Sequence, residues 1–189
     1  NVVREFTELQ GAMGYYYAKN AGLSEIAARA VGEFYWPMSA KSPIPSTKEG
    51  SVVSMAGKLD TLASDFAIGQ IPSGSEAPHG LRRQALGLVR IVLENEMEIK
   101  LVSALDLALS RLPQTNRTPI MDFIWQRAEV ALGDSGYRFD EIKAVREFFM
   151  RRGDLLDCRS RIRDLHAVRK NPDFEAVAMA FKRAKNILK

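Results

Sequence analysis

One cysteine in 189 residues, Cys158, excludes an internal disulfide and any multi-cysteine zinc site. Two histidines, His79 and His166, leave little material for a histidine-built metal centre or a Ser–His–Asp relay. No apolar run approaches the roughly 20 residues that cross a bilayer, and no basic-then-apolar leader opens the sequence. Windows that alternate with period two are few, so strands are not expected. These absences argue against a membrane protein, a secreted disulfide scaffold and an independent enzyme. A reducing, cytoplasmic setting is the expectation. What remains is globular, 46% hydrophobic and 26% charged, enough for one ordinary domain or two small ones sharing an interface. The chain opens at Asn1 within a helical pattern, so we expect a piece of something longer.

Charge is unevenly spread. Arg151 to Lys189 holds eleven Lys/Arg against five Asp/Glu, a net of +6, while the first 150 residues carry a net of −2. A basic C-terminal part on a near-neutral body points to a polyanion, nucleic acid before membrane, with a merely solvated helix face as the alternative.

Helical spacing dominates. Phe6, Leu9, Met13 and Tyr16 form a first amphipathic segment interrupted by Gly11 and Gly14, for which close packing would compensate. Ser24 is placed to cap a second helix with Ile26, Ala27, Ala30, Val31 and Phe34 inward, ending at Pro37. Ser46-Thr47-Lys48-Glu49 has capping-box spacing, and the helix it opens turns Val52, Met55, Ala56, Leu59, Leu62 and Phe66 inward. The Gly/Pro/Ser-rich stretch 68–78 is loop, and Pro78 suits the start of a helix through Leu81, Ala85, Leu88, Val89 and Val92. Glu94 to Glu98 marks a soft boundary. Leucines at 101, 105, 109 and 112 continue in helix, followed by Ile120, Phe123, Ile124, Arg127 and Ala131 in another. The last helix, begun at Asn171-Pro172, has an apolar stripe of Phe174, Val177, Ala178, Phe181, Ala184 and Leu188. The expected fold class is all-α.

Chemistry-bearing patterns are sparse. Pro72-Ser73-Gly74-Ser75 lacks the closing lysine and the preceding strand of a phosphate loop. Arg82 and Arg83 behind it fall in the first turn of a helix, where free backbone donors favour anions; they read as RNA-phosphate contacts or as partners of Glu76 or another domain. Asp60 and Asp65 could form an acid–base pair but have no adjacent histidine, and read better as surface or ion-paired charges. Cys158 reads as a packing residue. On the last helix Lys182, Lys185 and Lys189 share a side, with Arg183 farther round. Arg159, Arg161, Arg163, Arg169 and Lys170 precede them, an arrangement suited to RNA backbone contact. No catalytic residue and no metal ligand is assigned.

Several strings together resemble one family. Glu5-Phe6-Thr7-Glu8-Leu9-Gln10-Gly11-Ala12-Met13-Gly14 with Tyr17-Ala18, and Lys58-Leu59-Asp60-Thr61-Leu62 with Phe66 and Ile68-Gly69, are similar to signatures of the bacterial glycyl-tRNA synthetase β subunit. So are Pro72-Ser73-Gly74-Ser75, Pro78 and Leu81-Arg82-Arg83-Gln84-Ala85-Leu86-Gly87. Phe181-Lys182-Arg183-Ala184-Lys185-Asn186-Ile187-Leu188 resembles that family's helix entering its anticodon-binding region.

The resemblance implies an internal fragment. Residues 1–94 would be a degenerate histidine–aspartate (HD)-like helical domain, and 95–189 a helical region leading into a truncated anticodon-binding domain. It implies tRNA(Gly) and a separate α subunit as partners in an α2β2 heterotetramer. No cofactor is expected in this chain, since ATP and Mg²⁺ would belong to the α subunit's catalytic core. It makes Arg82, Arg83, Lys182, Arg183 and Lys185 the tRNA-binding candidates. Two departures bear on activity: the family's Glu-His-Tyr is Glu33-Phe34-Tyr35 here, and its Ala-Asp-Lys is Ala56-Gly57-Lys58. Losing a histidine and an aspartate counts against the alternative of a metal-dependent HD phosphohydrolase. A purely structural helical module, its basic half turned toward its own subunit, is the third reading.

Overall fold

The computed structural model describes residues 5–71, 80–113 and 115–187, except the side chains of Lys182 and Lys185. Among them it is all-helical, as the periodicity predicts. After a 3-10 turn at Thr7–Leu9 come α1 (Ala12–Asn20), α2 (Glu25–Glu33), α3 (Lys48–Ala67), α4 (Leu81–Glu94), α5 (Leu101–Leu109), α6 (Thr118–Asp134), α7 (Phe139–Arg152), α8 (Leu155–Val168) and α9 (Phe174–Ile187). None of them is long and apolar enough to cross a membrane. The loop around Ser73, Pro78 and His79 lies outside the described residues.

The N-terminal pair forms because backbones can touch. Gly11 sits at φ +85°, where a side chain is strained, and a Cβ there would collide with the Gly32 carbonyl. Ser24 caps α2 as its position predicts, accepting from the Ala27 N–H at 3.3 Å. Glu25 then clips the two helices, paired with Lys19 and Arg29, each at 2.9 Å. The buried face of α2 differs from expectation. Ala28, Ala30 and Glu33 are buried, whereas Ile26 and Val31 stay exposed. Val31 stays partly exposed beside α1, where a Cβ on Gly14 would lie 3.0 Å from its Cγ1, while Glu33 turns toward the start of α3.

The cap of α3 also moves by one residue. Thr47, not Ser46, accepts from the Gly50 N–H, at 3.0 Å. Ser46 is diverted to Glu33, whose buried carboxylate accepts its hydroxyl at 2.5 Å. On α3, Met55, Leu59, Leu62 and Phe66 are buried as expected. Val52 and Ala56 are not; with Leu107 they line an open apolar groove of about 780 Å³ between α3 and α5.

One core runs through α3 to α8, taking Leu62, Leu88, Ile91, Leu101, Trp125, Phe149 and Ile162 to near-zero exposure. It draws residues from both sides of Glu94–Glu98. Cys158 is fully buried within it, and burial with the nearby Asp157 and Asp154 pushes its thiol up to about 12. Helix α9 stands apart. Of its expected stripe, Phe174 is half-buried, Val177 at 65% and Phe181 at 71% are exposed, and Leu188 lies outside the described residues, so most of the described stripe does not face the core as the spacing predicts.

Candidate RNA interface

The sequence candidates fall at two places on the molecule. Arg82 and Arg83 lie in the first turn of α4, behind Gly80 in the left-handed region at φ +64° with no side-chain cap. Arg83 is exposed and folds back over that glycine: a Cβ on Gly80 would lie 2.9 Å from its Nη2. Arg82 is half-buried, in a cleft against α6, and is engaged in the structure. Lys182, Arg183 and Lys185 lie on α9, with Arg183 exposed. Among the described residues no substantial packing joins α4 to α9, so the two sets stand on separate elements.

Much of the basic excess before α9 is spent inside the fold. Arg159 donates to the Leu93 carbonyl at 2.9 Å and pairs with Glu96 at 2.7 Å, fastening α8 to the end of α4. Arg169 pairs with Asp140 at 2.6 Å and reaches Glu141 at 3.4 Å. The Glu141 carboxylate is buried and also meets His166 Nδ1 at 3.1 Å, while accepting from the Arg138 N–H. Burial raises its affinity for a proton, but that N–H, His166 and Arg169 outweigh it and hold the carboxyl below its ordinary value. Arg161 pairs with Asp157 and stacks 4.0 Å over Phe148. Composition counts these arginines as RNA-facing; for Arg159 and Arg169 the third sequence reading, an inward-turned basic half, describes them better.

The two departures from the family pattern meet in space. A Cβ built on Gly57 would lie 2.5 Å from Phe34 Cζ, so the phenyl ring fills the volume that a side chain at 57 would occupy. Next to them Lys58 is almost fully buried. Its ammonium donates to the Trp36 carbonyl and to Ser54 Oγ, both at 2.8 Å, and burial pushes it down to about 8. Asp60 is exposed on the rim of the α3–α5 groove, while Asp65 is buried and engaged. The two are therefore not a matched acid–base pair. Among the described residues no three His, Cys, Asp or Glu side chains are grouped to hold a metal ion.

Sequence reasoning passed over Arg127 of α6. Its signal was an arginine at an apolar-stripe position, one turn after Phe123. Arg127 lies over the Phe123 ring, 3.8 Å from its centroid, and shares the cleft with Arg82.

The family model for the glycyl-tRNA synthetase beta subunit matches residues 1–147. The glycine–tRNA ligase beta subunit of Thermodesulfovibrio yellowstonii is 39% identical over 188 residues, covering 100% of this chain and 28% of that protein. Those of Pseudomonas putida and Stutzerimonas stutzeri are each 38% identical over 192 residues, covering 99% of this chain and 28% of theirs. The chain thus spans somewhat over a quarter of the length of these relatives. Matched by the family model over most of its length, the chain belongs to the glycyl-tRNA synthetase beta subunit family.

Proposed function

We propose that this chain is a tRNA-handling, non-catalytic part of a glycine–tRNA ligase β subunit. It supports ATP-dependent glycyl-tRNA formation whose chemistry lies in an α subunit. In this reading residues 1–94 form a degenerate HD-like domain and 95–189 lead into an anticodon-binding region. tRNA(Gly) and the α subunit are its partners, an α2β2 heterotetramer its assembly and the cytoplasm its setting. ATP and Mg²⁺ belong to the α subunit. Exposed α9 carries this reading, with Lys182, Arg183 and Lys185 within one turn of a helix whose backbone stands clear of the core. A run of basic residues on such a helix suits phosphates, which position RNA without reading its sequence. The Phe34 ring against Gly57 supports the non-catalytic half, since hydrolysis at that place needs ligands and a proton carrier, and neither a phenyl ring nor a glycine supplies one.

The test replaces Lys182, Arg183 and Lys185 together by alanine in the full-length β subunit with its α partner. If each residue meets one single-stranded phosphate, the log–log salt slope of tRNA binding flattens by about 2. Aminoacylation then falls through weaker tRNA binding, while glycyl-adenylate formation without tRNA stays near normal. An unchanged slope, or an equal collapse of adenylate formation, assigns the residues to structure or assembly instead.

A further inference from the structure

Among the described residues no substantial packing joins α9 to another helix, so its direction is set where the chain leaves α8. That corner is stiff. The N–H groups of Arg169, Lys170 and Asn171 donate back to the carbonyls of Leu165, Ala167 and Val168 at 3.0, 3.2 and 2.9 Å. On its far side the Asp173 N–H donates to Asn171 Oδ1 at 2.9 Å and the Phe174 N–H to the Asn171 carbonyl at 3.0 Å. The end of α8 is tied in turn to α7. Arg169 spans two neighbouring carboxylates, Asp140 at 2.6 Å and Glu141 at 3.4 Å, and His166 Nδ1 meets Glu141 at 3.1 Å. Glu141 is buried in the first turn of α7, where it also accepts from the Arg138 N–H at 3.0 Å. Further along α7, Ile142, Val145 and Phe149 are in the core, so the carboxylate sits on a fixed element. Buried charge clusters add little net stability over apolar packing, and their best-attested use is to fix register.

We propose that Glu141, with Asp140, His166 and Arg169, is a positioning cluster that sets the direction in which α9 offers its basic residues to the RNA backbone. The proposal rests on the tRNA-handling reading above and assigns residues to it that do not themselves touch RNA. A long lever makes the corner matter. At about 1.5 Å per residue the backbone of Lys185 stands roughly 17 Å beyond Phe174, so a swing of about 10° at the corner moves it by roughly 3 Å. With the cluster intact α9 meets RNA already pointed. Without it, α9 samples other directions, and affinity falls in proportion to the share of time spent in the right one.

The experiment uses the full-length β subunit with its α partner and the variant Glu141→Gln. Removing a negative charge makes the protein more cationic, so an effect of charge alone tightens tRNA binding, whereas loss of positioning weakens it. The expected result is binding about three- to tenfold weaker, as when the competent direction is populated roughly 10–30% of the time. The salt slope should hold, because the phosphates met in the bound state are the same. Glycyl-adenylate formation without tRNA should stay near normal. Pulsed electron paramagnetic resonance between nitroxides at the exposed positions Val130 and Met179 should show a broader distance distribution than in the unsubstituted complex. His166→Gln, whose amide can donate to Glu141 in place of the ring, should bind tRNA more tightly than His166→Ala. Tighter or unchanged tRNA binding in Glu141→Gln overturns the proposal, as does an unaltered distance distribution. A slope flattened by one phosphate or more also overturns it, since the cluster would then be part of the contact. Normal Glu141→Gln beside a flattened slope in the α9 triple-alanine variant removes the cluster and leaves the α9 reading standing. An unchanged slope in that triple variant removes the α9 reading and the proposal with it. Should Glu141→Gln lose helical signal by circular dichroism, Asp140→Asn, which touches an exposed carboxylate, decides: weaker binding with a broadened distance supports the cluster, and neither change overturns it.

Discussion

The cleft between α4 and α6 and helix α9 both carry basic residues, but on different foundations. In the cleft wall Phe66 and Phe123 are buried, so Arg82 and Arg127 lie against side chains that cannot move far. On α9 Val177 and Phe181 of the apolar stripe are exposed, so among the described residues little of that stripe is anchored. A side chain of fixed geometry belongs to the first arrangement, and an unanchored one to the second. Equal counts of arginine and lysine can therefore do unequal work, because precision comes from what lies underneath.

That comparison is sharpest at the level of stability. Phe149 has no exposed surface and packs against Trp125 at 5.0 Å between ring centroids, so Phe149→Ala should cost about 3–5 kcal/mol in urea unfolding. Phe181→Ala on α9 should change the same measurement by less than about 0.5 kcal/mol. Equal losses would mean that α9 is packed after all.

Lys58 gives the next largest effect. Its folded-state value near 8 lies below the unfolded 10.5, so folding expels a proton between those limits. The charge penalty, about 3 kcal/mol, is fully present below pH 8 and fades as pH rises to 10.5. Stability of the unsubstituted protein relative to Lys58→Met should therefore climb across pH 8–10.5. A flat difference would show that the Trp36 carbonyl and Ser54 compensate the buried ammonium completely.

The smallest effect concerns the packing of Phe34 on Gly57. Gly57→Ala should destabilise by about 1 kcal/mol, since the clash outweighs the gain in helix propensity. With Phe34→Ala in the same molecule the penalty should vanish, a coupling of about 1–2 kcal/mol by double-mutant cycle. Additive changes would separate the two positions.

The helices were legible because their punctuation is local: Ser24 caps as its position predicts, and Gly133 to Gly136 ends α6 close to where the pattern breaks. The buried faces were less so. Ile26, Val31, Val52 and Ala56 read as inward by hydropathy, yet the inward places went to Ala28, Ala30, Ser51, Ser54 and Lys58. Periodicity locates a stripe, whereas the distance to the neighbouring helix decides which side chains fit under it. The shifted cap of α3 has the same origin, since the carboxylate that captures Ser46 is 13 residues away in sequence. Arg82 was visible as a charge at a helix start. Its companion Arg127 comes from a helix 45 positions on, and only the folded chain sets the two side by side.

The stripe of α9, largely exposed among the described residues, should also affect how solutions of this chain behave. Net charge keeps copies apart at low ionic strength, but screening shortens that repulsion to roughly 8 Å at physiological salt and about 3 Å at 1 M. Contact between Val177, Phe181 and Ile187 of different copies then meets little opposition, while the apolar attraction itself does not weaken with salt. Solubility of the chain should accordingly fall as salt is added, the reverse of ordinary salting-in. Light scattering along a salt ramp would register α9 as a colloidal contact before any RNA is present.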